Sequence, residues 1–322
     1  MATAWSRARV VTTVLAVALA AGLLVYSLRG MDWPEAARVI RGASAAPLAL
    51  VCAMISAALF LRAMRWRVLL NAHGDIRPAT AFWATAAGYF GNNFLPARAG
   101  ELVRTYIISS RATLDPAFVL TTALAERIAD AIVLVLISAA IIVTMPAAPG
   151  WLGGAARPVA FVALAAVLTV AGFPLLERGG LHVVGYLPLP QGIRARLLNA
   201  VVQIARGVAT FHEARRLAAF LALTAIIWCL DAAGTVIAGA ALGLPITVSA
   251  AFLLIAGLSL GSALPSTPGY VGIYQFVAVT VLVPFGLSRT DAIAFILVAQ
   301  VLMYLVIGVW GAIALARYRR LA

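Results

Sequence analysis

Two apolar stretches of this chain break at the same motif, Leu-Pro-x-x-x-Gly. The first is 81–101, AFWATAAGYFGNNFLPARAGE, and the second is 250–270, AAFLLIAGLSLGSALPSTPGY. Laid over one another without a gap, they pair Gly88 with Gly257, Leu95-Pro96 with Leu264-Pro265 and Gly100 with Gly269. Proline removes a backbone donor and frees carbonyls that hydrocarbon cannot satisfy. Each break therefore predicts an apolar helix that stops where protein or a water-filled cavity takes over the loosened backbone. Paired broken segments in the two halves of a membrane chain point to a transport site.

The rest of the chain agrees with a membrane setting. It is 64% hydrophobic and 11% charged, with a mean hydropathy of +1.03. The expectation is an all-α polytopic membrane protein, one transmembrane domain over 1–322. Runs long enough to cross about 30 Å of hydrocarbon lie at roughly 10–28, 45–61, 116–145, 157–176, 217–243 and 290–316. Arg7 and Arg9 precede the first run, which is too long for a signal-peptide core and reads as a retained helix. The broken segments, 79–111 and 248–286, fit as re-entrant hairpins or as pairs of tilted crossings. The result is six spans plus two hairpins, or eight or more crossings.

All 24 basic residues are Arg and the net charge is +13. GC-rich codon usage accounts for this without function. Arg also binds phosphate bidentately, which Lys cannot. Anionic headgroups supply the counter-charge in a membrane, so nucleic acid is not an expected partner. Arginines also set the sidedness: 18 fall on one side of the span map and 5 on the other. The positive-inside rule then places both termini in the cytoplasm. The expected compartment is the bacterial inner (cytoplasmic) membrane. Residues 45–145 and 217–316 become two halves of opposite topology, an inverted repeat. The linker 177–216 contains a basic amphipathic stretch, Gln191 to Glu213, that reads as a surface helix or a solvated linker. Cys52 and Cys229 are isolated, and His73, His182 and His212 lack ligand spacing. No disulfide, metal or cofactor is expected.

Charges inside spans mark function by default. Glu126, Arg127 and Asp130 lie about ten residues into a 30-residue apolar run. Glu126 and Asp130, four apart, share a helix face, and Arg127 and Asp130 can pair on its flank. An Arg from elsewhere, or a wet cavity, must face the carboxylates. A purely structural ion network is the plainer alternative. After the first break, Arg98, Glu101 and Arg104 recur every three residues along one stripe. Arg98, Arg104 and the free amides at that helix start suit a lipid phosphate, and Glu101 must pair with an Arg to be tolerated. Snorkelling to the interface is the plainer reading for both arginines. Asn92 and Asn93 precede the break and are expected to satisfy its backbone or touch a headgroup. The second break offers only Ser266, Thr267, Tyr270, Gln275 and bare backbone, which suits a neutral or glycerol-like group. Arg62, Arg65, Trp66 and Arg67 read as an interfacial anchor closing the second span. Asp231, alone in its span, is a candidate proton site or Arg partner.

RAMRWRVLL, NNFLPARAGELVR, ERIAD and PSTPGYVGIYQ, in this order, resemble the lysylphosphatidylglycerol synthase transmembrane region family, also called flippase-like integral membrane proteins. The resemblance covers nearly the whole chain. It implies a lipid flippase module. In multidomain members such a module moves aminoacylated phosphatidylglycerol made by a fused cytoplasmic synthase, and other members stand alone beside hopanoid or glycolipid pathways. The family's polar positions fall on Asn93, Pro96, Arg98, Gly100, Glu101, Arg104, Glu126, Arg127 and Asp130. The second motif covers Pro265, Pro268, Gly269 and Gly272. Many members carry an acidic residue after the second Pro-Gly pair, where this chain has Tyr274-Gln275. No synthase domain is expected within the chain, so a separate lipid-modifying enzyme is the implied partner.

The expected function is transfer of a phosphate-bearing lipid, plain, aminoacylated or glycosylated, between leaflets. The partners are then a phospholipid or other anionic lipid and the bilayer, and the chain is not itself an enzyme. A proton-coupled small-solute transporter fits the same repeat. A membrane-embedded enzyme of glycolipid, hopanoid or polyprenyl-phosphate metabolism fits less well, because the outer loop 29–44 holds only Asp32 and Glu35.

Overall fold

In a computed structural model of the chain, residues 18–94, 99–144, 209–262 and 268–319 are described, with isolated positions Leu198, Val202 and Gly207. Every described element is helical. In chain order they are α1 (Ala18–Leu28), α2 (Trp33–Arg41), α3 (Ala45–Leu70), α4 (Pro78–Phe94), α5 (Gly100–Ala112), α6 (Pro116–Thr144), α7 (Ala214–Ala241), α8 (Val248–Ser262), α9 (Ile273–Leu282) and α10 (Arg289–Arg319). Short 3₁₀ turns precede α7 at Thr210–His212, precede α9 at Pro268–Tyr270 and follow it at Val283–Phe285.

Among the described residues four helices, α3, α6, α7 and α10, are long and apolar enough to cross a bilayer. This establishes a multi-pass membrane protein. The expected span 10–28 is described only from Ala18 onward. The expected span 157–176 and most of the linker 177–216 lie outside the described residues, as do Pro96, Arg98, Pro265, Ser266 and Thr267.

Both breaks divide their segments as the prolines require. α4 ends at Phe94 and α8 at Ser262, within two residues of the Leu-Pro pairs. New helices follow, α5 after the first and α9 after the second. The lengths run 26, 17, 13 and 29 residues for α3 to α6. They run 28, 15, 10 and 31 for α7 to α10. The pattern long, short, short, long thus occurs twice.

One boundary differs from the sequence expectation. The second span was expected to end near residue 61, at the first of three arginines. Instead α3 continues to Leu70, and Arg65 and Trp66 are fully buried within it. A charge ends an apolar helix only where it must reach water; Arg65 is instead neutralised by Glu126 and Asp130 of α6. Arg67, farther along, donates from Nε to the Ile76 carbonyl and lies 3.7 Å from Asp75, tying the helix end to its loop.

The contacts divide the chain into two compact units. One is formed by Met1–Ala58, Tyr89–Gly100 and Trp228–Ala322, the other by Leu59–Gly88 and Glu101–Ile227. In the first unit α8 packs on α9, α9 on α10 and α10 on α2. Its core is built from Leu254, Ile273, Leu282, Ile293, Phe295 and Ile296, all nearly inaccessible. The second unit carries the charged cluster described next.

Candidate functional site

Within the second unit, six charges from α3, α5 and α6 form one continuous chain. It begins at Arg127, whose Nε donates to Glu101 Oε1 at 3.1 Å. The other oxygen of Glu101 accepts from Arg104 Nε at 2.5 Å. Arg104 Nη1 donates to Glu126 Oε2 at 3.1 Å, and Nη2 to the Ala123 carbonyl at 3.4 Å. Glu126 Oε1 then accepts from Arg65 Nε at 3.1 Å. Arg65 ends the chain with a two-pronged contact to Asp130, at 2.5 and 2.8 Å, and a bond to Thr224 Oγ1 at 3.2 Å.

Three guanidinium groups thus face three carboxylates, and the cluster is formally neutral. That balance is what lets it sit among apolar helices, because an uncompensated charge there is prohibitively costly. Aromatic faces complete the insulation. The Arg104 guanidinium lies 4.5 Å from the Trp66 ring centre, and that of Arg65 lies 5.1 Å from Phe220. Trp66 is itself fixed by its indole N–H, which donates to Thr122 Oγ1 at 3.1 Å. Burial rises from the Arg127 end of the chain inward. Arg65 and Arg104 are 1–2% exposed, whereas Glu101 and Arg127 are 17% and 32% exposed.

Several expectations meet this geometry directly. Glu126 and Asp130 do share a face, and the Arg they require from elsewhere is Arg65. That residue was read as an anchor, and it was missed because its partners are 61 and 65 residues away. One local signal was present: Val68-Leu69-Leu70 resume the apolar run after RAMRWR, so Arg65 is not at the helix end. Arg127 does not take the expected place on Asp130; it turns to Glu101, and both oxygens of Asp130 go to Arg65. Arg104 does not snorkel; it is buried between two carboxylates. Gly100 opens α5 next to this cluster.

In the first unit the second break has an uncharged network at corresponding positions. Gln300 aligns with Glu126 when the second half carries five extra residues, and Tyr304 follows it by four as Asp130 follows Glu126. Gln275 Nε2 donates to Gln300 Oε1 at 2.6 Å, and Gln275 Oε1 accepts from the Gly272 N–H at 2.7 Å. Gln300 Nε2 donates to the Gly269 carbonyl at 3.0 Å and to Tyr304 Oη at 3.1 Å. Tyr304 Oη also donates to the Gly269 carbonyl. These bonds satisfy backbone loosened after Pro268, which begins the 3₁₀ turn.

The backbone there is left-handed at Gly269 (φ +78°), Tyr270 (φ +57°) and Gly272 (φ +89°). Tyr270 is held in that costly conformation by stacking on Tyr274, ring centres 5.0 Å apart, and by donating to the Asn92 carbonyl at 3.4 Å. A side chain on Gly272 would collide with the Ala20 carbonyl. Asn92 and Asn93 are both buried at the end of α4. The Asn93 amide nitrogen has no hydrogen-bond partner among the described residues.

A family model described as "Lysylphosphatidylglycerol synthase TM region" matches residues 13–311. Among curated proteins, the chain is similar to "Glycosyltransferase AglD" of Haloferax volcanii, 27% identical over 308 residues. That match covers 84% of this chain and 47% of the relative, so the chain spans about half the relative's length. No solved structure matches the chain.

Proposed function

Because this chain belongs to the lysylphosphatidylglycerol synthase transmembrane region family, we propose that it works as a flippase, carrying a phosphate-bearing lipid between leaflets. The coarser reading, a membrane protein of lipid or glycolipid metabolism or transport, rests on the family and on the similarity to a protein named as a glycosyltransferase.

The observation that carries the finer reading is the graded ion chain. Apolar side chains of the same volume usually stabilise a buried site as well as ion pairs do, so stability alone does not account for six charges. A chain of exchangeable partners does. Its accessible end is the Glu101–Arg127 pair, 3.0 Å apart. A lipid phosphate has the geometry to replace a carboxylate on a guanidinium. Taking the place of Glu101 on Arg127 and Arg104, it would release α5 from α6, which those bonds join. Cargo binding and helix rearrangement would then be one event, as alternating access requires. Arg98 is assigned to a lipid phosphate at the first break.

Asn92 and Asn93 serve the end of α4 and the approaching headgroup. Ser266 and Thr267 are assigned to a neutral group at the second break. Tyr270 and Gln275, already engaged by protein, hold the second break in shape. The arginine bias supports cytoplasmic termini in a bacterial cytoplasmic membrane, and the duplicated helix pattern supports an inverted repeat. A separate enzyme would supply the lipid.

A second reading is favoured by the relative's name: this region would position a lipid carrier for glycosyl transfer. Purified protein in vesicles distinguishes the two. Accelerated leaflet exchange of a labelled anionic lipid without any sugar donor supports transport. Exchange no faster than in empty vesicles supports the second reading.

A further inference from the structure

On the second unit, α5, the loop that follows it and the start of α6 border an open surface groove of about 750 Å³. Its walls include Leu102, Thr105, Tyr106, Ser109, Leu114 and Asp115. Thr105 and Ser109 are one helical turn apart, so their hydroxyls lie on one face. Thr105 is 6% exposed. Among the described residues neither the Thr105 nor the Ser109 hydroxyl has a hydrogen-bond partner, although both hydroxyls are buried.

Among the described hydroxyls of this unit, Thr85 Oγ1 on α4 is in the same state, whereas others are not. Ser110, Thr121, Thr122 and Thr224 in the same unit all turn back to a carbonyl of their own helix. Thr105 and Ser109 leave that option unused and line the groove instead. A buried hydroxyl without a partner is costly, and such a group calls for a missing ligand.

The chemistry of the walls selects the ligand. Among the described residues no Arg lines the groove, and a carboxylate, Asp115, does. A phosphate would be repelled there. A sugar would not: its hydroxyls donate to the carboxylate and exchange bonds with Thr105 and Ser109. Leu102 and Tyr106 are 62% and 75% exposed, and they give an acyl chain an apolar flank beside the sugar. Glu101, one turn before Thr105, is the accessible carboxylate of the ion chain. A headgroup lying along Glu101, Thr105 and Ser109 covers two turns, about 11 Å.

We propose that this groove binds the glycosyl headgroup of a membrane lipid, whose phosphate or glycerol end faces Glu101 and Arg127. Cargo status for that lipid rests on the transport reading above; its binding does not. The test is therefore a binding measurement. Purified full-length protein is equilibrated with equal amounts of dihexosyl-diacylglycerol, phosphatidylcholine and phosphatidic acid, and retained lipid is counted by native mass spectrometry.

The wild type should retain the glycolipid over phosphatidylcholine. Thr105→Val with Ser109→Ala should cut that preference about tenfold or more, since each lost bond is worth a factor of about five. The lipid-free double variant should melt no lower than the wild type, because two unsatisfied hydroxyls are gone. Unchanged preference, phosphatidic acid outcompeting the glycolipid, or a lower melting temperature would each overturn the proposal. Glycolipid binding without leaflet exchange would instead refute only the transport reading.

Discussion

Replacing Arg65 with Met should be among the most damaging single changes in the chain. The guanidinium makes two bonds to Asp130, at 2.5 and 2.8 Å, one to Glu126 at 3.1 Å and one to Thr224 at 3.2 Å. Glu126 keeps Arg104 when Arg65 is lost. Asp130 loses the partner of both its oxygens. The cluster passes from neutral to a net charge of one minus, inside apolar helices. Removing one partner of a buried pair costs about 3–5 kcal/mol, or two to four powers of ten in the unfolding equilibrium. Adding Asp130→Leu restores neutrality with side chains of similar volume. The double variant should then return to within about 1 kcal/mol of wild type, giving a coupling energy above about 2 kcal/mol. Reversible unfolding of the four proteins in mixed detergent micelles measures all terms of the cycle. An Arg65→Met loss below about 0.5 kcal/mol, or a double variant no better than the single, would refute the buried ion chain.

Other sites give independent tests. Gln300→Leu leaves the Gln275 amide without its Gln300 acceptor and takes from the Gly269 carbonyl one of its two donors, leaving Tyr304. It should cost about 2–3 kcal/mol in the same unfolding assay. Gly272→Ala should prevent accumulation of folded protein, since the new methyl meets the Ala20 carbonyl at φ +89°. Gly243→Ala, at φ +72° with open space around it, should cost only about 1 kcal/mol. Expression level and size-exclusion profile separate these two outcomes. Arg127→Gln, at the accessible end of the chain, should slow lipid exchange at least fivefold while changing unfolding by less than about 1 kcal/mol.

The breaks and helices were legible in the sequence because their causes are local. Proline stops α4 and α8 wherever it falls in an apolar run, and alignment of the two motifs located the second break from the first. Burial of Glu126 and Asp130 was legible too, since short carboxylates cannot reach water from mid-helix. The identity of their partner was not. Arg65 sits in a cluster that the positive-inside rule reads as an anchor, and nothing within 60 residues shows that α3 delivers it to α6. Local spacing also misassigned Arg127, because a pair three residues apart competes with a carboxylate from another helix that spacing cannot see. The Gln275–Gln300–Tyr304 network was half legible: the alignment of Gln300 with Glu126 marked the position, but the Gly269 carbonyl it serves depends on the left-handed turn of the backbone. The hydroxyls of Thr105 and Ser109 carried no sequence signal, since most such groups bond back to their own helix.

The most direct test of the central claim is dithionite quenching of a fluorescent anionic phospholipid in vesicles containing the purified protein. Dithionite reaches only the outer leaflet, so inner-leaflet label is lost only as lipid crosses. Passage through the Glu101–Arg127 end predicts that nearly all fluorescence is quenched in wild-type vesicles and that Arg127→Gln slows the second phase. Quenching that stops at about half in wild-type vesicles, as in protein-free ones, would contradict the account.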